Sequence, residues 1–125
     1  AMKTKNTTPT TQELEIMKVV WALGPATVRD VYEALRRRRK VAYTTVMTMM
    51  NILEQKGHLK KKRGDKAYVY QAAKPRKQVV RNMVEEFLGR VFDGSARPLL
   101  VHLVEGRRLS ADDLRDIERM MEEGE

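Results

Sequence analysis

Tyr43, Thr44, Met47, Thr48 and Asn51 of this 125-residue chain fall at the spacing of one helical face, and none carries a formal charge. Steps of one and three residues stack them over successive turns of an α-helix. Charged residues make up 34% of the chain, so an uncharged face able to hydrogen-bond is unusual for a surface left to solvent. Thr can bond several base edges or touch a thymine methyl, Met can pack on that methyl, and Asn can hold adenine through two bonds. The chemistry open to the set is reading base edges in the major groove of DNA. It contains no Arg, the usual partner of guanine, so A/T-rich sites are expected. The plainer reading is a polar face turned to water.

Cations flank this face in sequence. The run Arg36, Arg37, Arg38, Arg39 and Lys40 precedes it, and Lys60, Lys61, Lys62, Arg63 and Lys66 follow it. The first run complements the negative end of a helix dipole, and it is also placed to hold phosphates beside a reading helix. In the second, lysines protect an edge strand against aggregation, and the same crowd of cations suits the DNA backbone. The phosphate set taken forward is Arg37, Arg38, Arg39, Lys40, Lys61, Lys62, Arg63 and Lys66.

Other chemistries find little support. The chain has no cysteine, which removes disulfides, thiolate metal sites and cysteine nucleophiles. His58 and His102 have no metal-ligand spacing around them and read as structural or exposed. Asp112, Asp113 and Asp116 are acids of the kind a helix N-terminus attracts. No phosphate loop, nucleophile elbow or catalytic triad pattern occurs. No enzyme, metal or cofactor is expected.

The elements that would position the reading face follow from caps and periodicity. Thr10 with Glu13 and Thr27 with Asp30 each form a capping box that starts a helix. In the first helix Leu14, Met17 and Trp21 make the apolar stripe, widened by Ile16, Val20 and Leu23, and Gly24-Pro25 ends it. Val28, Val31, Tyr32 and Leu35 give the stripe of the second. Val46, Met49, Met50 and Leu53 do so for a third over 43–56, closed by Gly57. The period then changes to alternation, with strands at 59–63 and 67–71 about a Gly64-Asp65 turn. Tyr68 and Tyr70 share one side of the return strand and are expected to pack on the helices first and to meet DNA second. Three helices followed by a basic hairpin is the layout of a winged helix-turn-helix, with the hairpin as wing.

From Lys74-Pro75 onward the pattern is helical throughout. Val79-Val80, Met83-Val84, Phe87-Leu88 and Val91-Phe92 give one broad apolar face. A short helix is expected over 98–105, and a last one opening at Ser110 with Asp113 as its box partner. About fifty residues cannot enclose such faces alone, so pairing with a second copy is expected. The contact set is Val80, Met83, Val84, Phe87, Leu88, Val91, Leu99, Leu100, Leu103, Leu114, Ile117 and Met121. The alternative is that these faces fold back on the first part of the chain.

Charge divides the chain at the same place. Residues 1–74 hold 16 Lys/Arg against 6 Asp/Glu, and residues 75–125 hold 9 against 11, within a formal net charge of +8. The cationic part takes the anion-binding work. The mainly helical chain is thus expected as a flexible end over 1–9, a winged-helix DNA-binding domain over 10–74 and a helical dimerisation domain over 75–125. Residues 1–8 lack the apolar stretch of a signal peptide, and no apolar run approaches the ~20 residues of a membrane span. Ala1-Met2 reads as a cloning remnant. A cytoplasmic protein without membrane insertion is expected.

The elements in this order resemble the penicillinase-repressor family, the BlaI, MecI and CopY repressors. The segments that carry the likeness are Thr11-Gln12-Glu13-Leu14-Glu15-Ile16-Met17 with Trp21, Thr27-Val28-Arg29-Asp30-Val31 and Ala42-Tyr43-Thr44-Thr45-Val46-Met47-Thr48. Leu53-Glu54-Gln55-Lys56-Gly57 and Tyr68-Val69-Tyr70 follow in register. The resemblance implies a homodimeric transcriptional repressor on a palindromic operator with TACA/TGTA-like half-sites. It places base reading at Tyr43, Thr44, Met47, Thr48 and Asn51, and dimerisation in the C-terminal helices, whose disruption would release the operator. In the β-lactamase branch, a pathway begun by a membrane sensor metalloprotease cleaves the arm at an Asn-Phe pair. The matching position here is His102-Leu103, a different pair. The copper-responsive branch uses a C-terminal cysteine motif, which this chain lacks.

Two other classes compete. An RNA-binding or ribosome-associated module would use the same charge but needs stacking aromatics on an open sheet, for which only Tyr68 and Tyr70 offer themselves. A small hydrolase or nuclease needs a convergent acid or metal site, and none is visible.

Overall fold

The computed structural model describes residues 7–124. Eight elements follow in order: α1 (Thr11–Leu23), α2 (Val28–Arg36), α3 (Tyr43–Gln55), β1 (Leu59–Arg63), β2 (Tyr68–Ala72), α4 (Arg76–Phe92), α5 (Ala96–Glu105) and α6 (Ala111–Glu123). By contact the chain falls into two compact units, one running through Met83 and the other starting at Val84. That division lies inside α4, further along than the Lys74-Pro75 boundary read from charge. The first turns of α4 belong with the head, where Val79 is buried and the Arg76 guanidinium lies 5.5 Å from the centre of the Trp21 ring.

The helix starts are local in origin. Thr10 Oγ1 accepts from the Glu13 amide at 3.2 Å while the Glu13 carboxylate accepts from the Thr10 amide at 3.0 Å. Thr27 with Asp30 and Ser110 with Asp113 repeat the box at α2 and α6. Each box satisfies donors that a helix end leaves unpaired. α3 is different: Ala42 occupies its N-cap, and no side chain caps it. Gly24, at φ 83°, takes the left-handed conformation that ends α1 at little steric cost.

The core of the head is built from Ile16, Met17 and Val20 of α1, Val31 and Leu35 of α2, Val46, Met50 and Leu53 of α3, and Leu59 and Tyr70 of the hairpin. The stripe expected on α1 shifts slightly. Val19 is buried, whereas Leu23 is 53% exposed because the last turn of α1 carries it away from the cluster. β1 and β2 pair antiparallel with Lys61 opposite Tyr70 and Arg63 opposite Tyr68. The return strand starts at Tyr68, one residue later than the alternation suggests. The Gly64 amide donates to the Ala67 carbonyl at 3.0 Å, which keeps Ala67 in the turn. A Cβ at Gly64 would stand 2.6 Å from that carbonyl oxygen, so the turn requires glycine. Tyr70 also exchanges both backbone hydrogen bonds with Ala26, at 2.8 and 2.9 Å, tying the α1–α2 connection to the hairpin.

The flexible end expected over 1–9 is held at its inner edge. Pro9 is buried, the Thr7 carbonyl meets His58 Nε2, and Lys56 Nζ donates to the Thr8 carbonyl at 3.5 Å. These contacts fasten residues 7–9 to the region where α3 ends. Residues 1–6, Ala1-Met2 among them, lie outside the described residues.

In the second unit α5 starts at Ala96, two residues before the expected position. Pro98 then falls in the first turn, where its missing N–H leaves no bond unmade. The Phe92 ring sits 5.9 Å from Phe87 and 5.8 Å from His102, centre to centre. Leu88 is the buried hydrophobic residue of this unit among the described residues, and α5 and α6 bury none. Of the residues expected in the dimer contact, Leu88 is thus already covered within its own chain. Val80, Val84, Phe87 and Val91 face out of α4, between 38% and 48% exposed. Leu100, Ile117 and Met121 are exposed on α5 and α6, while Met83, Leu99, Leu103 and Leu114 are half-buried. Among the described residues, no helix is long and apolar enough to cross a membrane.

Candidate nucleic-acid interface

α3 turns Val46, Met50 and Leu53 into the core, so helical geometry sends Thr44, Met47 and Thr48 outward, where all three are exposed. The two ends of this face are engaged by neighbours. The Tyr43 ring stands edge-on to Tyr32 at 5.4 Å, with the Arg29 guanidinium 5.6 Å from its centre. At the other end, the Tyr70 hydroxyl donates to Asn51 Oδ1 at 3.0 Å. Of the five residues read as base contacts, Tyr43, Thr44, Met47 and Thr48 are exposed, Tyr43 also touching α2, and Asn51 is half-buried and bonded to β2.

An open cleft of about 380 Å³ lies between the start of α2, the outer face of α3 and the hairpin. Arg29, Tyr43, Met47, Asn51, Lys61 and Tyr68 are among the residues that line it. By strand register Lys61 and Arg63 share a face with Tyr70 and Tyr68, while Lys60 and Lys62 point to the opposite face. Lys61 Nζ rests 4.7 Å from the centre of the Tyr68 ring, a cation–π contact that fixes the cation at the cleft. Lys66 sits at the turn with Gly64 and Asp65. Both tyrosines line the cleft, but they differ in burial: Tyr70 is packed in the core, and Tyr68 is half-exposed.

The run at 36–40 is less uniform than its composition suggests. Arg39 forks onto the Glu15 carboxylate of α1, with nitrogens 2.8 and 3.2 Å from Oε1. The Arg39 hydrogen bond outweighs partial burial and holds the Glu15 carboxyl below its ordinary value, while the same pairing raises Arg39. Arg39 accordingly ties α1 to the segment before α3. Arg36 bonds Glu33 at 3.4 Å. Arg37 is exposed beside a groove it shares with Leu23 and Pro25, and Arg38 and Lys40 are exposed.

Arg29 is a cation of the cleft that sequence reasoning missed. It belongs to the first turn of α2, where it bonds Glu33 at 3.2 Å, a local pair that spacing could suggest. Its place over Tyr43 is a tertiary contact with no local signature. His58 is buried with Nε2 on the Thr7 carbonyl, a structural position, and Nδ1 has no hydrogen-bond partner among the described residues. No group of His, Asp or Glu among the described residues is arranged to hold a metal ion. His102-Leu103 lies within the continuous helix α5, His102 exposed and Leu103 half-buried.

The family described as penicillinase repressor matches residues 9–123, from just before α1 to the end of α6. The chain belongs to the penicillinase repressor family. The transcriptional regulator BlaI of Mycobacterium tuberculosis is 37% identical over 113 residues, spanning 89% of this chain and 80% of that protein. The penicillinase repressor of Bacillus licheniformis is 24% identical over 111 residues, covering 89% of this chain and 87% of its own length. The methicillin resistance regulatory protein MecI of Mammaliicoccus sciuri is 22% identical over 109 residues, with 87% and 89% covered. The chain is also similar to FabT of Streptococcus pneumoniae, in a crystal structure with DNA, at a TM-score of 0.47 and 18% identity, covering 93% of this chain and 78% of that one. Membership covers both units, so the exposed face of α3, the hairpin and the C-terminal helices are all parts of a penicillinase-repressor chain.

Proposed function

We propose that this member of the penicillinase repressor family is a sequence-specific repressor that binds a palindromic operator in duplex DNA as a homodimer. The observation that carries the reading is the exposed, uncharged Thr44-Met47-Thr48 face of α3 beside the cation-flanked cleft. α3 lies in the major groove, and its side chains choose the sequence, each good pair being worth ~1–3 kcal/mol. Lys61 and Arg63 hold the backbone beside it, with Arg38, Lys40 and Lys66 as further phosphate contacts. The exposed stripe of α4 and the apolar residues of α5 and α6 join two copies, and breaking that arm releases the operator. Half-sites of TACA/TGTA type are the family's sequences, and they suit a face without Arg. His102-Leu103 would have to be unwound from α5 before a protease could cut it, so a sensor pathway of that kind needs local opening of the arm.

Titrating the whole chain into a duplex carrying paired TACA/TGTA half-sites, and into a shuffled duplex, tests this reading. The expected result is a preference for the paired half-sites of about 10³-fold or more at physiological salt. Equal affinity for both duplexes, or a preference for structured RNA, would overturn it. Replacing Lys61 and Arg63 together by Ala is expected to weaken binding to every duplex. It should also flatten the log K against log salt slope by about 2 per head, since each phosphate contact contributes about 0.9. An unchanged slope would remove the wing from the contact set.

A further inference from the structure

We infer that Arg29 is a further DNA-binding residue: it holds a backbone phosphate, and with Lys61 across the cleft it grips one strand of the duplex. This role rests on the DNA-reading role proposed for α3 and adds the α2 wall of the cleft to it.

Arg29 is poorly placed for the stability of its own helix. It stands in the first turn of α2, just after the N-cap Thr27 and Val28. That end of a helix carries partial positive charge and favours acids such as Asp30, so an arginine there is disfavoured. Its pair with Glu33, one turn on at 3.2 Å, runs from base to acid, the weaker order along a helix. The Arg29 side chain is 68% exposed, so the pair contributes little to folding. Residues that break local preferences without a gain in stability are expected at functional sites.

The guanidinium is nevertheless held in place. The centre of the Tyr43 ring lies 5.6 Å from it, and one of its nitrogens bonds Glu33. A guanidinium carries five N–H donors, so the group can keep Glu33 and still present a fork to a phosphate. Arg36 bonds the same carboxylate and lies 5.7 Å from the centre of the Tyr32 ring, yet it does not line the cleft. Arg29 does line it, and so does Lys61, which repeats the arrangement on the hairpin at 4.7 Å from the Tyr68 ring. The cleft thus carries two cations, each seated on a tyrosine, and little side-chain freedom remains to be lost on binding. A cleft of about 380 Å³ is on the order of 7 Å across, less than the roughly 12 Å of major groove that separates the two strands. Two cations on one such cleft therefore meet the same sugar-phosphate strand.

The test titrates the whole chain, over a range of salt, into the duplex with paired TACA/TGTA half-sites and into a shuffled one. Arg29→Ala is expected to weaken binding to both and to lower the log K against log salt slope by about 0.9 per head. Arg29→Gln keeps a long polar side chain without the charge and should do the same, which preserves the test if thermal melts show Arg29→Ala unfolded. Arg36→Ala removes a cation that shares Glu33 but lies off the cleft, and should move the slope far less. A role confined to supporting Tyr43 would alter which bases are chosen and leave the slope as it was. Neutral methylphosphonates, placed one at a time along each strand of the half-site duplex, then locate the contact. Wild type should lose about tenfold at the phosphate that Arg29 holds, and Arg29→Ala should be indifferent to that substitution. Lys61→Ala should be indifferent at a nearby position of the same strand. Three results would overturn the inference while leaving DNA reading intact: an unchanged slope in both Arg29 variants, an equal fall in Arg36→Ala, or positions for Arg29 and Lys61 on opposite strands. A wild type that binds both duplexes equally would instead overturn the DNA-reading role itself, and the slopes would still decide whether Arg29 meets a phosphate.

Discussion

Replacing Val84 and Val91 together by Asp is expected to turn a dimer into a monomer and to lower operator affinity by about 10²–10⁴-fold. Both residues are exposed in the single chain, 44% and 48%, so charges there cost the fold of one copy little. The spacing of Val80, Val84, Phe87 and Val91, alternately four and three residues, is that of a seam between paired helices. Two carboxylates on each copy would meet in the seam without partners, and the pair would separate. Each head would then bind alone, without the high effective concentration that a joined neighbour provides. Light scattering reads the mass, circular dichroism the helix content, and a titration the affinity. Leu88→Ala is the informative contrast. Because Leu88 is buried in its own chain, its truncation should destabilise the chain by ~2–5 kcal/mol. A double Asp variant that remains dimeric would show that the copies meet elsewhere.

The second large effect is at Glu13. Its carboxylate caps α1 and also accepts from Lys56 Nζ at 2.7 Å, joining the start of α1 to the end of α3. Burial alone would push this carboxyl up, yet the bonds from Lys56 and Thr10 prevail and hold it below its ordinary value. Glu13→Ala removes a cap and leaves the Lys56 ammonium with a largely covered, unpaired charge. The expected loss is ~2–4 kcal/mol, seen as a fall in Tm on the order of 10–20 °C. Glu13→Gln retains an oxygen for the Thr10 amide and should lose less. The pH dependence has a definite sign. A carboxylate lowered in the folded state contributes stability at neutral pH that fades as the pH falls through the unfolded value, near 4.3, to the folded one. Chemical denaturation between about pH 6 and 3 should show this acid-side loss in wild type and a smaller one in Glu13→Ala. Parallel curves would mean that Glu13 is not a main contributor.

What was legible in the chain was local. The capping boxes at Thr10, Thr27 and Ser110, the first strand and the inward stripe of α3 depend on residues within a few positions of one another; the boxes and the first strand appear as read, while the return strand slips by one residue and Met49 of the α3 stripe is only half-buried. What was not legible joins distant segments. Arg39 finds Glu15 across 24 positions, Lys56 finds Glu13 across 43, and Tyr70 finds Asn51 across 19. A run of five cations looks uniform until one of them is committed to α1. Likewise the apolar face of α4 looked single from spacing. In three dimensions Val79 and Leu88 are covered within the chain while Val80, Val84, Phe87 and Val91 are not. Periodicity says which residues share a side of a helix and not what waits on that side.

The bare start of α3 carries one more consequence. α1, α2 and α6 each begin where their own sequence tells them to, whereas α3 opens at Ala42 with nothing of its own to pin it. Its first residue is steadied by borrowed furniture, the ring of Tyr32 and the guanidinium of Arg29 on α2. The placement of the start of α3 is therefore inherited from a neighbour. If α3 reads DNA as proposed, substitutions on the outer side of α2 would shift its preference while leaving every residue of the α3 face as it was.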